Sequence, residues 1–112
     1  MIGTAFLASA IVVATPTQTE VLPGDEIIYR QALECSVYSR LAKSVHAGNP
    51  GVVAMDDKLN AYWTKRSEEI GAKAGLTPQT VSMQSLVIKI EAERFTPVML
   101  ACLEATPKKV LR

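Results

Sequence analysis

The side chains able to do chemistry are few. Cys35 and Cys102 stand 67 residues apart. They form no CxxC motif, and they share no metal-ligand spacing with the single histidine, His46. Two readings remain, one disulfide or two buried thiols. Cys35 and His46 share a face of one predicted helix, yet lie about 16 Å apart along its axis, too far for a nucleophile and its base. His46 then reads as a residue of a helix C-terminus, where the dipole favours it. The adjacent acids Asp25-Glu26, Asp56-Asp57 and Glu68-Glu69 point about 100° apart on a helix, so each pair is a poor chelate and reads as solvated surface. Glu91 and Glu93 fare no better.

No phosphate-cradling glycine loop, nucleophile elbow, zinc-binding HExxH, EF-hand or haem motif occurs. No catalytic residue, cofactor or metal is therefore expected. Two arginines break the pattern. Arg66 and Arg94 each continue an apolar helical stripe. Either they snorkel, with stems on the core and guanidinium groups in water, or they form a ligand or ion-pair cleft. Glu91, Glu93, Glu104 and Asp57 are the internal partners available for the second case.

These residues must be held by helices. Gly24 or Asp25 opens the first, which runs to about His46. The tract Gly48-Asn49-Pro50-Gly51 breaks the chain, and a second helix spans about Val53 to Ala74. Gly75 followed by Leu76 reads as a Schellman stop. Thr77-Pro78 reads as the N-cap and N1 of a third helix. Thr96-Pro97 repeats that pair, and either kinks the third helix or starts a short fourth.

The cysteines decide between these. In an up-down-up bundle, a straight third helix would carry Cys102 roughly 36 Å up from Pro78, far above Cys35. Bridged Cα atoms lie within about 7 Å. A disulfide thus demands a reversal near Thr96-Pro97, which brings Cys102 back level with Cys35.

The first helix carries two apolar stripes. Ile28, Ala32, Cys35, Ser39, Ala42 and His46 form one; Leu33, Val37 and Leu41 lie opposite. It is expected at the centre of the bundle, with a partner surface on one side as the alternative. The second helix has one stripe, Met55, Leu59, Tyr62, Trp63, Ile70 and Ala74. The third has Met83, Leu86, Val87 and Ile90 on one side and Val81, Ile88 and Phe95 on the other, which makes it a second central or interface helix.

Composition bounds the rest. The chain has 112 residues, one domain's worth. Lys plus Arg is 12 and Asp plus Glu is 11, a net charge of +1. That balance excludes a polyelectrolyte field, and with it a nucleic-acid partner of the wrapping kind. A hydrophobic content of 48% excludes a disordered chain. That content is uneven, since eleven of residues 1–14 are apolar and no charge precedes Glu20. Pro16 and the polar run after it stop the stretch short of the ~20 residues a spanning helix needs.

Residues 1–14 are read as a signal-like apolar helix outside the bundle, with cleavage after Ala14, although no Lys or Arg precedes the run. The alternatives are an anchor over residues 1–19, or a buried N-terminal helix. Residues 15–24 are then a linker, 25–106 the helical domain and 107–112 a frayed basic tail.

The layout is similar to small exported bacterial helical proteins with one Cys in the first helix and one near the C-terminus. Small acid-stress chaperones of the periplasm share the size, the helicity and the single disulfide. None of their motifs is matched, so the resemblance assigns no residue. The expectation is an all-α bundle of three main helices and a short fourth after Pro97, periplasmic or secreted, with a Cys35–Cys102 disulfide. Its expected role is a non-catalytic interaction module of chaperone-like kind with a protein partner, touching membrane only through its N-terminal segment. The alternative is a membrane-tethered accessory subunit.

Overall fold

A computed structural model describes residues 23–112. It is all-α, with no strand among the described residues. Helix α1 spans Pro23–Val45 and α2 spans Pro50–Lys73. They pack as an antiparallel hairpin, shown by side-chain bonds that pair Ser36 with Thr64 and His46 with Asp56. The first helix takes in Pro23 and Gly24, two residues read as linker. The segment 1–14, the expected helix outside the bundle, lies outside the described residues.

The second helix starts three residues earlier than its pattern suggested. Pro50 is its first residue, where a missing N–H costs nothing. Asn49 caps it, its side chain accepting from Val52 N–H at 3.3 Å. At the far end the stop is the one expected. Gly75 has φ 84°, and the Gly75 and Leu76 amides donate to Ala72 and Gly71 carbonyls at 3.0 and 2.9 Å. Both stripes of α1 are largely buried, Ala32, Cys35, Ser39 and Ala42 on one side, Leu33 and Val37 on the other, while Ile28 at its start is exposed. The helix is therefore central.

The third helix is where expectation and structure part. Helix α3 is short, Pro78–Ser85, capped by Thr77. Its backbone leaves the helix at Leu86. The run Leu86-Val87-Ile88-Lys89-Ile90 is rich in β-branched residues with low helix propensity. A tertiary contact takes over the lost hydrogen bonds. The Tyr38 hydroxyl, fully buried on α1, donates to the Lys89 carbonyl at 3.1 Å and accepts from the Glu91 amide at 3.0 Å.

A 3-10 turn, Ala92–Arg94, then reverses the chain into α4, Phe95–Ala105. The turn lies just before Thr96-Pro97, so Pro97 sits in the first turn of α4 and not at its first position. Helix α4 runs back along α1 and places Cys102 on Cys35, with S–S 2.07 Å and Cα–Cα 5.6 Å.

The expected frayed tail is ordered instead. Helix α5, Lys108–Leu111, packs on α2, where Lys58 Nζ donates to the Arg112 carbonyl at 2.9 Å. What fixes it is one turn upstream. Thr106 is buried and accepts from Trp63 Nε1 at 2.9 Å, so the chain enters the tail already anchored.

Candidate functional site

Three places could carry function. The first is a cleft of about 280 Å³ between α1 and α4, with the Cys35–Cys102 bridge as its floor. Pro97, Val98 and Ala101 form its apolar wall, and Glu34 and Arg94 its polar rim. The 3-10 turn carries Arg94 to Glu34, where Nη2 lies 3.3 Å from both carboxylate oxygens. Glu91 adds a longer contact to Nε at 3.9 Å. The Glu34 charge above all holds the guanidinium above its usual range, against a smaller opposing effect of burial. Arg94 is thus an ion-pair residue, matched by carboxylates of its own chain. Glu91 was among the partners the sequence offered; Glu34 was not. Both cysteines are only 1% exposed, so the bridge offers little surface to an external thiol.

Arg66 is elsewhere. It stays on α2, half-exposed, with Glu69 one turn on at 4.0 Å. It does not line the cleft. The two arginines therefore do not form one site.

The second place joins His46 and Asp56. His46 Nδ1 and Asp56 Oδ2 lie 2.7 Å apart, and the Phe95 ring meets the imidazole edge-on at 6.1 Å between centroids. Asp56 is only 3% exposed, which corrects the reading of Asp56-Asp57 as a solvated pair. Asp57 does face solvent, in an ion pair with Lys43 at 3.1 Å. The available signal was spacing, for Asp56 precedes Trp63 and Ile70 at heptad intervals on the buried face of α2. The contact ties the end of α1 to the start of α2.

The third place is an apolar face. Met83, Leu86, Val87 and Ile90 are 68, 75, 80 and 50% exposed. They form the first stripe of the expected third helix. The opposite set is the one turned inward: Val81 is buried, and Ile88 and Phe95 pack on the core. Residues 74–88 carry no charge at all, so this surface has little to desolvate when covered. Scattered apolar side chains on a surface are ordinary. Three such residues fall within one uncharged stretch, and a fourth, Ile90, follows beyond the exposed Lys89.

Among the described residues no group of His, Cys, Asp and Glu could hold a metal ion. No described helix is long and apolar enough to cross a membrane. The chain matches no protein-family model, no curated protein and no solved structure.

Proposed function

We propose that the chain is an exported, non-catalytic interaction module of the chaperone-like kind, working in the periplasm or outside the cell. The exposed apolar face of Met83, Leu86, Val87 and Ile90 carries the proposal. A face of this type binds apolar segments of other chains without demanding a sequence, because the hydrophobic effect is non-directional. The buried disulfide supports the reading in a second way, since such bonds persist in oxidising compartments. The same face also suits the rival reading, a tethered accessory subunit that keeps residues 1–19 and docks on a membrane neighbour. Its mark is membrane association that resists carbonate.

The test uses protein recovered from the exported fraction, with its N-terminus read by mass spectrometry. Light scattering follows the aggregation of thermally unfolded citrate synthase. The exported protein is expected to suppress aggregation near equimolar ratio. The Leu86→Asp, Val87→Asp variant is expected to lose the effect with an unchanged helical signal, since both positions are exposed. Equal suppression by both proteins removes the face from the proposal. No suppression by either removes the chaperone-like reading.

A further inference from the structure

We infer that, in the unprocessed chain, residues 1–14 cover the Met83, Leu86, Val87 face in cis, so that removal of the segment uncovers it. The inference rests on the interaction reading above and adds a control to it.

Two uncharged stretches stand out in this chain, residues 1–19 and residues 74–88. The first has eleven apolar residues in its initial fourteen, and its own exposure to water is unfavourable in the same way. The fold brings their attachment points together. The described chain begins at Pro23, and Tyr29, about 9 Å further along α1, donates its hydroxyl to Gln84 Oε1 on α3. Met83 adjoins Gln84, and Leu86 and Val87 follow within one turn.

Residues 15–22 lie between, and eight residues span up to about 26 Å when extended. The segment therefore reaches the face with chain to spare. Ile27 and Ile28, 74 and 42% exposed on the first turns of α1, extend the apolar surface at this same end. Attachment through so short a connection raises the local concentration into the millimolar range, so even weak apolar contact is populated. A second chain, or a lipid surface, must compete with that.

The test keeps the full chain. A benzophenone amino acid replaces Phe6 in the 112-residue protein, which is irradiated at low concentration without detergent. Trypsin then separates the two stretches, because Arg30 is the first basic residue and Lys73 and Lys89 bracket the face. The expected product is an intramolecular crosslink between peptides 1–30 and 74–89, with loss of that product in the Leu86→Asp, Val87→Asp variant.

Mixing light and nitrogen-15-labelled protein distinguishes a second copy, and added phosphatidylglycerol vesicles distinguish a lipid surface. A crosslink between labelled and unlabelled chains overturns the inference. So does one to any other tryptic peptide, one unchanged in the aspartate variant, or a full chain soluble only with detergent. Suppression of aggregation by the processed protein is measured independently, so either proposal can fail while the other stands.

Discussion

The α1–α2 hairpin and the C-terminal limb from α3 to α5 are held by different means. The hairpin is two long helices laced by short polar contacts. Ser36 Oγ meets Thr64 Oγ1 at 2.7 Å, and Asn60 Nδ2 donates to the Ser36 carbonyl at 2.8 Å and to Ser39 Oγ at 3.3 Å. Small residues let the backbones approach, and the hydroxyls satisfy each other inside the contact. The limb makes few such laces. It is pinned to the hairpin at separate points: Gly71 against Val81, Tyr38 on the loop, the disulfide, and Trp63 on Thr106. A continuous seam distributes its load, whereas a pinned limb depends on each pin. The face we assign to binding lies on the limb, between pins.

The largest expected effect comes from the covalent pin. Replacing both Cys35 and Cys102 by Ser lowers stability by about 4 kcal/mol in the chain-entropy account for a loop of this length. A denaturant titration measures it. Hydrogen exchange then tests the comparison, because the amides of α4 should lose protection more than those of α1 and α2. Equal losses would mean that hairpin and limb are one cooperative unit.

Next comes a tight packing contact between the two regions, Gly71 against Val81. A Cβ on Gly71 would lie 2.6 Å from Val81 Cγ2, so Gly71→Ala should cost roughly 1–3 kcal/mol through overpacking. Adding Val81→Ala should recover part of the clash. A melting series with both single variants and the double variant measures the recovery; strictly additive losses would deny the contact.

The smallest effect belongs inside the hairpin. His46→Ala leaves the buried Asp56 carboxylate without its imidazole partner. The His46 side chain is itself a third exposed, so water can enter the vacated place and keep the loss near about 1 kcal/mol. A shift in denaturant midpoint at unchanged slope measures it. A loss as large as that of the disulfide would show that the hairpin too hangs on single pins.

How much of this was legible in the sequence follows the same division. The hairpin was readable because its signals are local. Two apolar stripes marked α1 as central, and the Gly75-Leu76 stop and the Thr77-Pro78 start stand where they were expected. The reversal before Cys102 was also readable, since bond length and helix rise leave few alternatives. The limb was harder. Periodicity reports which residues share a side, and Val81, Ile88 and Phe95 do turn inward together. It does not report whether the backbone between them stays helical. That was decided by a hydroxyl from another helix, Tyr38, which offers the loop the hydrogen bonds a helix would have supplied.

The site shows the same limit. Asp56 looked like its neighbour Asp57; its heptad spacing to Trp63 and Ile70 set it apart, and His46, from the turn after α1, supplies its partner. Arg94 found Glu34, a residue of the first helix, across the reversal, a pairing that local spacing does not show. Arg66 pairs instead within its own helix, with Glu69 three residues on.

The disulfide also has a topological side. Joining Cys35 to Cys102 closes a covalent ring around most of the described fold, its two ends separated by 67 positions in sequence. A pull applied at the two termini passes across the sulfur bridge and leaves roughly 220 Å of contour untouched inside the ring. The oxidised domain therefore cannot pass through a narrow pore in single file, as an open chain can. If the chain is threaded across a membrane, the bond must close after passage.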